Sequence, residues 1–343
     1  MFFKKFKGFT VFILILVFSL SIVGCGGQEK SNGDQPEKIT LIAAHVLAPT
    51  HHYQYGFEKL AELVSERTNG QITIEIHHSA ALGEEEQMIE SLQMGTIDFS
   101  TISAAPLTAF VKEYMACDLP FTFATPEEAY KFYDGEIGDI LLQKTERLGL
   151  VGLAWWENGF RNFTNNIRPI TSPEDMKGLK IRTMNSPVHM ASVQALGANP
   201  TPIPFGELYS ALQQGVIDGQ ENPIANIHSS RFNEVQKYLT VSRHFYDPSP
   251  LFISQKTLEK LTDEQINIIK EAAIEARDYM RNIANEQEEE LIADLEKQGM
   301  EVVRLTPEQV KAFQEATKDV YKDFVDQIGE DFLNQFLEAV NSL

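Results

Sequence analysis

"LQMGTID", residues 92–98, has a near-copy in "LQQGVID", residues 212–218. Each closes a polar stretch with helical spacing, "EEEQMIESLQMG" (84–95) and "PFGELYSALQQG" (204–215). In both, a glycine stands where a helix ends on a left-handed residue, a conformation glycine adopts at little steric cost. The chain then passes through x-Ile-Asp into a short strand. One helix-to-strand element used twice predicts two lobes of related topology. The flanks agree. "EKITLIAAHV" (37–46) reads as a strand, and "YQYGFEKLAELVSERTNG" (53–70) carries a helical apolar stripe that stops at Gly70. "QITIEIHH" (71–78) alternates with period two, and "TIDFSTIS" (96–103) follows the first copy as another strand. This order predicts an α/β lobe with a largely parallel sheet. The order restarts with "PEDMKGLKIRTM" (173–184), "PVHMASVQALGA" (187–198) and, after the second copy, "VIDGQENP" (216–223).

The longest helical pattern runs over 261–299, opened by a Thr262/Gln265 capping box and stopped by Gly299. At ~1.5 Å per residue it reaches roughly 54 Å, more than one lobe of this size spans, so it is expected to bridge both lobes or to kink between them. "EVVRL" (301–305) returns as a strand and "TPEQV" (306–310) opens the last helices.

The N-terminus is of another kind. "MFFKKFKG" supplies Lys4, Lys5 and Lys7, and an apolar run of 15 residues follows over 9–23. That run falls short of the ~20 residues a membrane-spanning helix needs and fits a secretory signal. It closes on "IVGC", which resembles a lipoprotein cleavage box; the resemblance implies that residues 1–24 are removed and that Cys25 is lipidated. Residues 25–36, polar and Gly/Ser/Asn-rich, read as a flexible tether. The chain is thus expected to be exported and held by lipid at the outer face of the cytoplasmic membrane. Removing 1–24 takes three lysines and no acid, which shifts the formal charge from −20 to −23. Such acidity argues against nucleic acid as a partner. Cys117, in the apolar "EYMACDLPF", reads as a small buried hydrophobe with no partner for an internal disulfide.

No G-x-S-x-G, H-E-x-x-H, P-loop or C-x-x-C motif is present. Neighbours on a strand point to opposite faces, so the pair His77-His78 cannot chelate one ion, and neither metal nor cofactor is expected. What stands out against the acidic background is two arginines near strand ends. Arg161 lies in "WWENGFRNFT" and Arg182 in "GLKIRTMN", each beside asparagines. The carboxyl end of a strand in an open α/β sheet borders the ligand crevice, and a guanidinium there forks a carboxylate.

"GFRNFTNNIRPITSPEDMKGLKIRTMNSP" and "GANPTPIPFGELYSALQQGVIDGQENP" strongly resemble the solute-binding proteins of tripartite ATP-independent periplasmic (TRAP) transporters, of the DctP type. "ITIEIHHSAALGEEEQMIESLQMGTIDFS" fits the N-terminal lobe of the same family. The resemblance implies an α/β, two-lobed, periplasmic-binding-protein-like clamshell with crossing strands and a long lobe-spanning helix. It also implies a receptor without catalytic activity, closing on an organic acid and handing it to small and large TRAP membrane subunits. The lobes are expected over 37–158 plus 248–287 and over 159–247 plus 288–343, in a monomer. Arg182 would be the carboxylate fork and Arg161 its assistant. Asn222 and Asn185 would add hydrogen bonds, and Phe205 would pack on the ligand's apolar face. A tryptophan marks the metal-dependent branch where Asn222 stands here, and a glutamate marks the sialic-acid branch where Ser103 aligns; both ligand types are disfavoured. Asn158, Glu157, Gln220, Ser103 and His45 complete the expected site with groups that suit hydroxyls, which both donate and accept. A sugar acid (uronate or aldonate) is therefore favoured over a C4-dicarboxylate. The rival readings are a sensor subunit with the same site but a signalling partner, and an exported hydrolase.

Overall fold

The computed structural model describes residues 38–343; the signal, Cys25 and tether expected over 1–36 lie outside the described residues. Nine strands form one sheet: β1 (Ile39–Ala44), β2 (Ile72–His77), β3 (Phe99–Thr101), β4 (Leu150–Asn165), β5 (Lys180–Thr183), β6 (Asn199–Pro202), β7 (Gly219–Pro223), β8 (Tyr238–Ser254) and β9 (Glu301–Arg304). Their order is β2-β1-β3-β8-β4-β7-β5-β6, with β9 on β8. Two parallel triads flank an antiparallel pair. β1 runs parallel to β2 and β3, β5 parallel to β6 and β7, and the long strands β4 and β8 cross between them. The expected related topology is visible strand for strand, since in each triad the first strand is central.

The two sequence copies occupy equivalent places. The helix α1 (His52–Arg67) precedes β2, and α2 (Glu85–Met94) precedes β3. Past Phe205–Gln213, here α3, the chain enters β7. Gly95 and Gly215 both sit at φ 68°. The Gly95 amide donates to Leu92 O at 3.1 Å and that of Thr96 to Ser91 O at 3.0 Å; Gly215 to Leu212 O and Val216 to Ala211 O repeat this at 3.1 and 3.0 Å. The aspartate that ends each copy then turns back onto the neighbouring strand. Asp98 Oδ2 accepts from Ile42 N at 2.7 Å, and Asp218 Oδ2 from Lys180 N at 2.8 Å. In return the amides of Asp98 and Asp218 donate to Ile42 O and Lys180 O. The isoleucines and leucines of the copies (Leu92, Ile97, Leu212, Ile217) are buried. The seven-residue repeat is thus a complete device: a helix stop, a core anchor and a strand-to-strand clamp.

Three apolar clusters follow this layout. The largest gathers β1–β3, α1 and α2 with Trp155, Trp156 and Phe160. Two smaller ones lie in the second lobe, one under α3 and one around Phe163, Ile181 and Phe313. The long helix α4 (Asp263–Lys297, 35 residues) serves both lobes. Ile269, Ala272, Ala273, Ala276 and Met280 enter the first cluster, and Ile292 and Leu295 enter the second. The C-terminal segment departs from the expected boundaries. Val320, Phe324, Ile328, Leu333 and Phe336 pack into the first cluster, although 288–343 was expected with the second lobe. The cause is apolar: the helix α5 (Glu330–Asn341) brings Phe336 against Phe132, ring centroids 4.8 Å apart. Cys117 is buried in the same cluster, as expected.

Asp98 also accepts from Thr257 Oγ1 at 2.5 Å, whereas the Asp218 side chain holds only the strand amide. Asp98→Ala orphans a part-buried strand N–H, at about 1–3 kcal/mol, whereas the Lys180 amide freed by Asp218→Ala lies where water can reach it. Urea unfolding is expected to show Asp98→Ala as the more destabilised of the two; equal midpoints for Asp98→Ala and wild type would refute the clamp.

Candidate functional site

Arg182 stands on β5 at the inner edge of the second lobe, with Ile181 before it buried in the core and its own side chain on the opposite face. It is 3% exposed, and its Nε donates to Ile203 O at 2.8 Å. Its Nη1 is buried without a hydrogen-bond partner. Burial, reinforced by the neighbouring Arg161, lowers its pKa to about 10, so it remains charged at neutral pH. A buried guanidinium with an unmet donor has the chemistry to hold an anion.

Arg182 lines a cavity of about 210 Å³ between the lobes. The second lobe contributes Met184, Asn185, Pro202, Ile203, Pro204 and Phe205; the first contributes Pro106 and the three glutamates 84–86 at the head of α2. Acidic residues at a helix start favour the helix dipole, which explains the run locally. Phe205 packs against apolar groups of both lobes. Glu85 Oε1 accepts from Ser103 N at 2.7 Å. Burial raises the Glu85 carboxyl to about 7 against the pull of that amide. None of the three glutamates stood out in the sequence as a site residue, because an acidic helix start is already accounted for by capping.

Arg161 is elsewhere. Completely buried on β4, it is held by acids on the two strands that flank it. Nε donates to Glu221 Oε2 at 2.5 Å, Nη2 to Glu221 Oε1 at 2.9 Å and to Asn222 Oδ1 at 3.1 Å, and Nη1 to Asp247 Oδ2 at 2.7 Å. Burial alone would raise the Glu221 carboxyl, but the Arg161 charge and the hydrogen bonds from Arg161 hold it well below the usual range. Asn222 and Gln220 belong to this network. Asn222 Oδ1 also accepts from Asn226, Asn222 Nδ2 donates to Gln220 Oε1, and Gln220 Nε2 donates to Thr164 Oγ1. Asn158 joins its edge, donating to Asp247 Oδ2 at 2.9 Å and to Ser103 Oγ at 3.1 Å.

Of the ten residues expected at the site, Arg182, Asn185 and Phe205 therefore line one cavity. Ser103 is one hydrogen bond behind it, and Arg161, Asn222, Gln220 and Asn158 form the buried network alongside. Two lie apart. His45 stacks on Phe57 and pairs with Gln54 at 3.1 Å; burial lowers it to about 4, so it is neutral. Glu157 accepts from the Tyr130 hydroxyl in a recess of about 30 Å³, room for little more than water. Bulges at Glu157/Gly159 and Arg161/Phe163 turn β4 along this stretch, which no periodicity in the sequence announces. Trp155 and Trp156 both pack in the first core, against Tyr133 and Phe57 respectively.

A family model for "bacterial extracellular solute-binding protein, family 7" matches residues 43–327. Three solved structures resemble the chain closely. The sugar acid binding protein of Advenella mimigardefordensis, in complex with galactonate, superposes with a TM-score of 0.87 at 32% identity, over 89% of this chain and 99% of that one. A TRAP periplasmic solute binding protein of Polaromonas bound to D-erythronate gives 0.84 at 39% identity, over 88% and 98%. That of Sulfurospirillum deleyianum with bound succinate gives 0.84 at 35% identity, over 88% and 98%.

Glu157 yields a pH test. Burial raises its carboxyl to about 7 despite the Tyr130 hydrogen bond and Arg281. Its contribution to stability is thus fully present below the unfolded value near 4.5 and is lost as pH rises through 7. Glu157→Gln, which stays neutral, should gain in melting temperature relative to wild type between pH 5 and pH 8. A difference that is flat across this range would contradict the assignment.

Proposed function

This chain belongs to the bacterial extracellular solute-binding proteins, family 7, and from that premise we propose that Arg182 forks the carboxylate of a sugar acid held between the lobes. Members of this family are receptors for organic acids in TRAP transport, not enzymes. The observation that carries the proposal is that Arg182, with an Nη1 left without a hydrogen-bond partner, lines the cavity whose other wall comes from the opposite lobe. The preference for a sugar acid rests on charge. A C4-dicarboxylate has two anionic ends and needs two cations, yet Arg161 is already neutralised by Glu221 and Asp247. The cavity wall opposite Arg182 carries Glu84 and Glu86, whose charge repels a second carboxylate, and Glu85, raised to about 7; their oxygens can accept hydrogen bonds from hydroxyls. The galactonate and D-erythronate bound by two of the similar proteins have this chemistry, one carboxylate and a hydroxylated chain. The acid so bound is delivered to the membrane subunits of the transporter. Lipidation at Cys25 would keep the receptor beside them, since two acyl chains anchor stably where one does not.

Arg182→Lys keeps the charge but not the planar fork, and should weaken binding by on the order of 2–5 kcal/mol. The check is calorimetry with D-galactonate, D-erythronate, D-glucuronate and succinate; affinity within three-fold of wild type for the acid that binds best would remove Arg182 from the site. In a thermal-shift panel of the same acids, a ligand at 100-fold its Kd should add about 2.7 kcal/mol. A strong shift with succinate and none with any sugar acid would select the dicarboxylate reading instead. For the anchor, Cys25→Ser should move the protein from the membrane to the soluble fraction; an unchanged distribution would exclude lipidation.

A further inference from the structure

The mouth of the cavity is crossed by two side chains that belong to one lobe and bond to the other. Glu84 opens α2 in the first lobe, where its amide donates to Gln87 Oε1 at 2.9 Å. Its carboxylate reaches the second lobe, accepting from the Gly206 amide at 3.1 Å (Oε1) and 3.3 Å (Oε2). Gly206 lies in the first turn of α3, a helix of nine residues whose capping position, Pro204, offers no side-chain acceptor. Two residues along, Glu86 Oε1 accepts from Asn185 Nδ2 at 3.1 Å. Asn185 lines the cavity with Arg182, and Gly206 follows Phe205, the last lining residue on its segment.

The chemistry of the first contact is directional. The first amides of a helix have no partner within it and carry its positive end, so a carboxylate is the favoured group to meet them. Glu84 does this for two helices at once, heading α2 covalently and α3 across the gap. A Cβ on Gly206 would lie 2.2 Å from Glu84 Oε1 and would push that carboxylate off the amide. The contact joins segments 122 residues apart, one belonging to each lobe, so any parting of the lobes at this point would break it.

We infer that Glu84 is a latch that retains the ligand, capping α3 from the opposite lobe in the shut state and holding the mouth closed through Gly206. Glu84 makes no hydrogen bond to Arg182, although its charge belongs to the acidic wall of the same cavity, so it is its bond to Gly206 that sets how long the lobes stay shut.

The latch is testable without knowing the ligand. In the full chain carrying Cys25→Ser, Glu86→Cys and Asn185→Cys form a disulfide across the mouth only when it is closed, and the rate of trapping under a fixed glutathione redox buffer reports the shut population. Glu84→Ser keeps a capping residue for α2 but cannot reach α3. It should slow trapping about five-fold, the weight of one carboxylate at a helix N-terminus. Gly206→Ala should slow it similarly by steric exclusion, and the double variant should be no slower than Glu84→Ser alone. Melting temperatures of the reduced proteins should stay together, which separates a latch from a fold defect. Equal trapping rates, additive slowing, or no trapping in the parent would each overturn the inference. The Arg182 reading is tested separately by calorimetry with D-galactonate, D-erythronate and succinate on the Cys25→Ser chain without the cysteine pair, which keeps Glu86 and Asn185 in the cavity wall. If none of the three binds there while the Glu84 and Gly206 effects on trapping remain, the latch stands and the ligand reading fails.

Discussion

Arg161 is a permanent charge with no access to water, and much of the centre of the molecule is arranged to tolerate it. Taking a guanidinium out of solvent costs several kcal/mol unless its donors are matched by acceptors in good geometry. The match comes from both neighbouring strands, Glu221 on β7 and Asp247 on β8, so the cation ties the crossing strands of the two lobes at one point. Removing either acid would leave a buried charge uncompensated, which is a larger loss than the net worth of the pair. The network is for that reason a poor candidate for a mobile ligand-binding group and a good one for a fixed pivot. Asn222, Gln220 and Asn158 fill its remaining hydrogen-bonding needs, and their burial follows from that service.

Fixing Arg161 leaves Arg182 as the guanidinium of this pair with an unmet donor. The two lie close enough for Arg161 to depress the Arg182 pKa, yet their roles divide by partner. One is saturated by the protein itself; the other is supplied by the protein with a carbonyl and a cavity. The acidic head of α2 supplies the opposite wall. Charge is thus separated across the cleft, cation on the second lobe and carboxylates on the first, and a ligand with one anionic end and several hydroxyls complements that separation.

The fold was legible because its signals are local and repeated. The glycine stop, the buried leucine and isoleucine, and the aspartate at the end of each seven-residue copy carry their roles in adjacent residues. The long helix announced itself through Thr262 and Gln265. Arg182 was legible too, since strand alternation around Leu179 and Ile181 dictates its face. What stayed hidden depends on neighbours distant in sequence. Nothing near Arg161 says that Glu221 and Asp247 will neutralise it. The bulges in β4 that turn Glu157 toward Tyr130 leave no mark in the pattern of apolar residues. The C-terminal helices were placed with the wrong lobe because an amphipathic helix names its own buried face but not the surface it will cover.

That last surface bears on the order in which the protein is built. The core of the first lobe begins with β1 at residue 39 and is finished by Phe324, Leu333 and Phe336. Synthesis and export both proceed from the amino end, so the first lobe has its sheet and its early helices long before the residues that seal them. The second lobe draws its two clusters from residues 163–313 and has all its parts sooner. The first-begun half is therefore the last that can become fully dry. Until residues 320–336 follow, the apolar faces of Phe132 and Tyr114 wait in contact with solvent or a chaperone.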